Sequence, residues 1–231
     1  MNNFIKFTST NHLFDYGGHL SRTDKLVSPN KRELFFGQPI VLEEKVDGAN
    51  IGFSLSQEGE ILVQNRGNYI TANSHPQFKI LDRWIQQHED ALFDILVKGF
   101  ILYGEWCYAK HTINYDRLPD WFLAFDMWDI NENKFLSRQR RHLELNLAGI
   151  SEVPFVGDFV VTPTVLEGLL LRTKSKLYDG PVEGIYLRVD NSNGYLSERA
   201  KIVRPGFIQS IEEHWTKQSL ILNNCINETL L

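Results

Sequence analysis

Glu43-Glu44-Lys45-Val46-Asp47-Gly48-Ala49-Asn50 is the stretch on which the reading of this chain turns. The lysine follows the short apolar run Ile40-Val41-Leu42 and precedes Asp-Gly. This spacing predicts a lysine held at the end of a strand. Two readings follow. In one, Lys45 lies on a hairpin strand and Asp47-Gly48 is its turn, since Asp-Gly is a common turn pair. In the other, Lys45 is a covalent nucleophile. Partial burial beside Val46 would then lower its pKa, and Gly48 would let a ligand approach the backbone. On this stretch alone the two readings stand level.

Outward from Lys45, residues 1–38 look irregular, polar and without a sustained period. Asn50–Ser56 and Ile61–Asn65 flank the turn Glu58-Gly59-Glu60 and predict an antiparallel hairpin. From Pro76, residues Phe78, Leu81, Trp84, Ile85, Leu92, Ile95 and Leu96 recur at helical spacing, and Gly99 ends that helix. Phe100–Trp106 and Trp121–Asp129 read as buried strands. Ser137 caps a helix through Leu147, and Thr162 or Thr164 begins a shorter one through Leu171. Val182–Val189 and Glu198–Val203 are the last strands. Pro205 starts a final helix through about Trp215, and the tail from Lys217 packs as a helix. Hairpins covered by helices predict a mixed α+β fold with a largely antiparallel sheet. No repeat, low-complexity tract or linker divides the 231 residues, so one domain is expected.

Composition narrows the function classes. Apolar residues make up 42% of the chain, enough for a sizeable core and too many for a disordered one. The formal charge is −5, so any nucleic acid must meet a local basic face rather than a basic protein. The two cysteines, Cys107 and Cys225, offer no zinc-site spacing and fit a reducing compartment. The start Met1-Asn2-Asn3-Phe4-Ile5-Lys6 lacks the apolar core of a signal peptide, and no apolar run is long enough to span a membrane. A cytoplasmic location is expected. Asn227-Glu228-Thr229 is a chance sequon.

Further signals accumulate along the chain. Asn65-Arg66-Gly67-Asn68 ends a strand with an arginine suited to phosphate, or simply solvated before a turn. Tyr103-Gly104-Glu105-Trp106 embeds a carboxylate in an apolar strand, where it needs a partner or a ligand. Phe122-Leu123-Ala124-Phe125-Asp126 offers an aromatic platform beside an acid, or plain core. Val182-Glu183-Gly184-Ile185 again embeds Glu before Gly. In Arg199-Ala200-Lys201-Ile202-Val203-Arg204, period 2 puts Arg199 and Lys201 on one face.

The ordered set Lys-x-Asp-Gly, Arg-Gly, Gly-Glu-Trp, Phe-Asp, Glu-Gly and a late lysine strand resembles the covalent nucleotidyltransferase superfamily. That superfamily holds the ATP-dependent RNA and DNA ligases and the mRNA-capping guanylyltransferases. The likeness covers about residues 41–207 and is closest to the RNA ligases related to phage enzymes that seal nicks in duplex RNA. It implies an ATP-grasp-like nucleotidyltransferase domain over residues 1–231, with 208–231 a short helical tail. It further implies that Lys45 attacks the α-phosphate of ATP to form a lysyl-AMP. The AMP would then pass to an RNA 5′-phosphate, and a 3′-OH would displace it.

By that resemblance Lys45, Glu183 and Lys201 carry catalysis. Arg66 holds a phosphate, Glu105 the ribose hydroxyls, and Phe125 stacks on adenine. Glu183 sits near the metal, with Asp47 the other acid close by, at a position where relatives can carry His. Lys201 contacts the α-phosphate with Arg199 beside it. Glu44 helps read adenine, and Asn50 orients the 3′-OH or a phosphate. ATP and Mg²⁺ or Mn²⁺ are the implied cofactors, and RNA with 5′-phosphate and 3′-OH ends is the implied partner.

The chain departs from the family at its end: about 24 residues follow Gly206-Phe207, too few for the C-terminal OB fold of DNA ligases and capping enzymes. The RNA clamp is therefore open. Arg138, Arg140 and Arg141, or Lys174 and Lys176, would supply a basic face, or else are solvated helix surface; a partner protein or domain is the other source. His111 is the histidine placed to line the cleft. Two alternatives to a complete ligase remain: an enzyme that adenylates 5′ ends and needs a partner to seal them, and an idle relative that binds RNA ends.

Overall fold

The structure is a computed structural model that describes residues 4–17, 20, 24–207 and 220–227. Its strands are β1 (Pro39–Lys45), β2 (Ala49–Leu55), β3 (Ile61–Gln64), β4 (Phe100–Trp106), β5 (Phe122–Asp129), β6 (Lys134–Phe135), β7 (Phe155–Val160), β8 (Gly184–Asp190) and β9 (Leu196–Val203). They form two sheets, ordered β7-β1-β8-β9 and β3-β2-β4-β5-β6. Each ladder between these strands is antiparallel. With helices α1 (Pro29–Arg32), α2 (Leu81–Gln87), α3 (Glu89–Leu96), α4 (Arg138–Ala148) and α5 (Pro163–Arg172), this is the expected α+β architecture.

Strand alternation gives each sheet one apolar and one polar face. On the first sheet Ile40, Leu42, Ile185, Leu187, Ala200 and Ile202 are buried with Leu166 and Leu170 of α5. On the second, Ile51, Phe53, Leu102, Trp106 and Phe122 pack with Trp84, Leu92 and Ile95 of α2 and α3. Burial of side chains this size contributes about 1.5–3 kcal/mol each, so the outer layers hold the fold. The polar faces look inward at each other. Arg188 of β8 and Arg199 of β9 both reach across to Asp126 of β5. The space between the sheets is thus lined by charged groups together with the rings of Phe7, Phe125 and Tyr186.

The crossing from one sheet to the other rules out the hairpin-turn reading of Asp47-Gly48. β1 pairs with β7 and β8, whereas β2 pairs with β3 and β4. Asp47-Gly48 is therefore no hairpin turn but the link between sheets. Gly48 is needed for space: a Cβ there would lie 2.9 Å from the Trp106 carbonyl oxygen.

Other expectations are corrected. The helix expected from Pro76 to Gly99 is broken into the 3-10 turn Pro76–Phe78, α2 and α3. The break falls at His88 (φ −114°, ψ 15°), whose ring lies 3.2 Å from Asp120. β7 went unrecognised because Gly157 and Asp158 interrupt its pattern. Ser137 and Thr162 are the N-caps of α4 and α5.

The irregular N-terminus also builds the sheet. Lys201 N–H donates to Asn11, Leu13 N–H donates to Lys201, and Val27 N–H donates to His12, at 2.9, 2.8 and 2.8 Å. Residues 220–227, expected within a helical tail, instead run extended. Asn223 there donates to the Cys107 and Ala109 carbonyls and accepts from Tyr115 N–H. The final helix expected over 205–215 lies beyond residue 207 outside the described residues. No helix among the described residues is long and apolar enough to cross a membrane.

Candidate active site

Lys45 is the last residue of β1 and pairs in register with Gly184. A Cβ at Gly184 would lie 2.3 Å from the Ile202 carbonyl oxygen, so only glycine lets β8 and β9 close up behind the lysine. The residue before it, Glu183, turns its carboxylate back. Lys45 Nζ lies 2.5 Å from Glu183 Oε1, with the two side chains 17% and 6% exposed. Burial alone would lower the lysine pKa, as the sequence position beside Val46 suggests. The charges of Glu183, Tyr186 and Glu105 outweigh burial and hold it above its ordinary value. Lys45 is a charged amine in this state, and its proton has an acceptor at contact distance.

Two carboxylates in the cleft carry an oxygen without a hydrogen-bond partner: Glu183 Oε2 and Glu105 Oε2. Burial pushes Glu183 up to about 7 against the pull of Lys45, and Glu105 up to about 8 against Lys45 and Arg66. Glu105 sits on β4 opposite Asn50 of β2, whose buried Nδ2 also lacks a partner. Buried polar groups are normally satisfied, so this concentration marks a ligand site. Lys201 of β9 shares the lysine's face of the sheet through Tyr186, its register partner. Burial and the nearby Lys45 charge lower its pKa. Arg66 is exposed at a turn fixed by Asn65 Oδ1, which accepts from Gly67 and Asn68 N–H at 2.8 Å. It lines a cleft of about 680 Å³ with Gly48, Asn50, His75 and Phe78.

Within this frame a family model described as RNA ligase matches residues 38–203. The chain belongs to the RNA ligase family. Solved structures of the Naegleria gruberi RNA ligase are similar to it. An alanine-substituted apo form has a TM-score of 0.67 at 15% identity, covering 93% of this chain and 60% of that one. A form with pyrophosphate has a TM-score of 0.63 at 18% identity, covering 89% and 62%. A substituted form with ATP and manganese has a TM-score of 0.62 at 16% identity, covering 89% and 62%. At these identities the likeness is one of fold. The chain spans about three-fifths of the length of those chains. No curated protein matches it significantly.

Other residues of this family member sit where their expected roles meet competition. Glu44 points to the opposite face from Lys45. Its carboxylate accepts from Ser175 Oγ at 2.5 Å and Lys176 N–H at 3.2 Å, and burial raises its pKa. Asp47 Oδ2 accepts from Thr112 and Ile113 N–H at 2.7 and 2.9 Å, so this acid pins a loop. Among the described residues no group of three or more His, Cys, Asp or Glu could hold a metal ion. Glu183 Oε2 is the oxygen that fits one arriving with a nucleotide. Phe125 packs on Phe7 at 5.0 Å and lies nearly parallel to Tyr186 at 6.3 Å. Arg199 shares the face of Lys201, as period 2 requires. It is committed to Asp126 and sandwiched between the Phe7 and Phe135 rings at 4.2 and 4.4 Å.

The expected basic face of α4 is the largest correction. Arg141 is fully buried, donating to both Glu43 oxygens and to the Phe125 carbonyl. Arg138 pairs with Glu152 at 3.2 Å, and Arg140 lies over the Tyr195 ring at 4.6 Å. Lys176 Nζ donates to the Phe155 carbonyl, while Lys174 is exposed near Asp179. Arg138 and Arg141 thus tie α4 to the sheets. His111 is half-buried, its Nε2 3.0 Å from Gln77 Oε1. The residues that went unrecognised are His12 and Asp24, both beside Lys201. They come from the unpatterned N-terminus, and nothing in spacing announces them.

Proposed function

We propose that this chain is an ATP-dependent RNA ligase that joins 5′-phosphate and 3′-OH ends through a lysyl-AMP, working as one nucleotidyltransferase unit in the cytoplasm. The observation that carries the reading is Lys45 at the inter-sheet crossing, with Glu183 at 2.5 Å and Lys201 on the same face. Family membership and fold likeness to ATP-bound and pyrophosphate-bound forms of an RNA ligase support it.

The Lys45 proton passes to Glu183 Oε1. Lys45 Nζ then attacks the α-phosphorus of ATP. The N–P bond forms as the nitrogen gives its second proton to solvent, the bond from the α-phosphorus to the bridging oxygen breaks, and pyrophosphate leaves with that oxygen. Lys201 neutralises charge gathering on the α-phosphate oxygens. Glu105 accepts from the ribose hydroxyls through its unpartnered oxygen, and Arg66 and Asn50 receive phosphate or the 3′ end in the adjoining cleft. An RNA 5′-phosphate oxygen next attacks the same phosphorus and frees Lys45. The 3′-OH finally attacks the 5′-phosphate and releases AMP. A divalent cation bound with the nucleotide would be held by Glu183, and supplies positive charge that favours a neutral lysine and offsets the polyphosphate. Adenine stacking on Phe125 requires the Phe125–Tyr186 pair to admit the base.

Incubation with α-labelled ATP and Mg²⁺ tests this. Label should survive denaturation in the native protein and be absent in Lys45→Ala. No retained label, or full labelling of the variant, would sink the proposal. A second reading, adenylation here and sealing with a partner, is favoured by Arg138 and Arg141 of α4 being committed to Glu152 and Glu43. Retained label without joining of nicked RNA would select it.

A further inference from the structure

Lys201 does not stand alone on its strand edge. Its Nζ lies 3.2 Å from Asp24 Oδ1, and the same oxygen lies 3.3 Å from His12 Nε2. Two stretches of the N-terminus are laced together to put that oxygen there. Residue 12 accepts from Val27 and donates to Lys25, so the backbone on the far side of Asp24 is clamped to His12. Asn11 and Leu13 are in turn hydrogen-bonded to both sides of Lys201 itself. Leu13 and Val27 anchor the pair of segments in the core. The carboxylate is thus fixed relative to the backbone that carries the lysine.

We propose that Asp24 is a positioning residue for adenylyl transfer, acting through Lys201 and held in place by His12. This rests on the reading of Lys45 as the nucleophile. The physical need is clear from the charges facing Lys201: Lys45 from β1, Glu183 just before β8, Tyr186 from β8, and Asp24 and His12 from the N-terminus. Lys45 and Lys201 repel each other, yet the reaction asks different things of them. Lys45 must give up its proton, and Lys201 must keep its own and stay aimed at the α-phosphate. Each lysine has a separate acid. Glu183 contacts Lys45 and Asp24 contacts Lys201. Burial brings the pKa of His12 down to about 4, with Lys201 adding to the fall, so the ring is neutral at pH 7. It therefore anchors the carboxylate without adding a third cation.

An ion pair whose side chains are 16% and 26% exposed adds modestly to stability. A misplaced catalytic group, by contrast, costs about 100-fold when it moves by an ångström. Asp24→Asn should therefore lower the maximal rate of lysyl-AMP formation, measured in a single turnover against ATP concentration, by about 10- to 100-fold. The half-saturating ATP concentration should stay within about 3-fold, and Asp24→Glu, which keeps the charge, should recover part of the rate. A wild-type protein that forms no adduct refutes the nucleophile reading and this inference with it. A wild-type adduct with an Asn variant as fast as wild type refutes the inference alone. So does an Asn variant that fails to fold, or that loses rate and ATP affinity in equal proportion, since either assigns Asp24 a purely structural role.

Discussion

Arg141→Ala should unfold this protein at markedly lower temperature and should not behave as the loss of an RNA contact. Arg141 is 0% exposed. Its guanidinium donates to Glu43 Oε1 and Oε2, to the Phe125 carbonyl and to Glu152 Oε2. The alanine variant leaves Glu43, 2% exposed in its side chain, with Arg138 Nε at 3.8 Å and Arg188 Nε at 3.9 Å, both beyond hydrogen-bond reach. Removing one partner of a buried pair costs about 3–5 kcal/mol, because the other charge is stranded. That is a large part of the ~5–15 kcal/mol typical of total stability. Spread over the unfolding entropy of 231 residues, it lowers the melting temperature by about 6–10 °C. Thermal and urea unfolding of Arg141→Ala and Arg140→Ala, side by side, measure it. The Arg140 change removes only a ring contact worth about 0.5–1 kcal/mol. An Arg141 variant melting within about 2 °C of wild type, with weaker and less salt-dependent RNA binding, would refute the reasoning and restore the basic-face reading.

Two further outcomes follow from the cleft. Gly48→Ala drives a Cβ to 2.9 Å from a backbone oxygen and 3.2 Å from Cys107 Sγ, so the link must shift; adduct formation should fall at least about tenfold, and an unchanged rate would show the link to be slack. Glu105→Gln tests the buried carboxylate by pH. Burial lifts its pKa from 4.5 to about 8, so across that window the folded protein binds more protons than the unfolded chain and loses stability as pH rises. The neutral variant lacks that loss. Its melting temperature relative to wild type should be lowest near pH 4 and rise by several degrees by about pH 8.5; a flat or falling difference would contradict the shifted pKa.

Much of the fold was legible because its signals are local. Phe100–Trp106 is apolar apart from Glu105, and the structure buries it on both faces as β4. Ser137 and Thr162 cap the helices they precede. The acids and lysines of the cleft were also visible, since a Glu inside an apolar strand is conspicuous anywhere. What stayed hidden was pairing over distance. A helix with three arginines reads as a basic surface unless its acceptors are known, and Glu43 lies 98 residues before Arg141. Asp24 meets Lys201 across 177 residues from a segment with no period at all. The break at His88 leaves no mark in the apolar spacing, which runs straight through it.

The same distance problem explains why Asp47-Gly48 looked ambiguous. Both readings of that dipeptide invoked the freedom of glycine, either to turn or to admit a ligand. The structure uses the pair to remove freedom. Val46 is buried in the second core although β1 belongs to the first sheet. Asp47 donates its N–H to Tyr115 Oη at 2.9 Å and receives two backbone N–H groups on its carboxylate. Gly48 is seated against the Trp106 carbonyl, one residue from Glu105. Three consecutive residues therefore fix the strand end bearing Lys45 to the strand bearing Glu105. Two sheets joined by a loose loop would let Lys45 and Glu105 drift apart, and for a reaction that uses both, misplacement of about 1 Å costs about 100-fold. A short crossing, held by the Asp47 N–H on Tyr115 and by two N–H groups on its carboxylate, sets their separation.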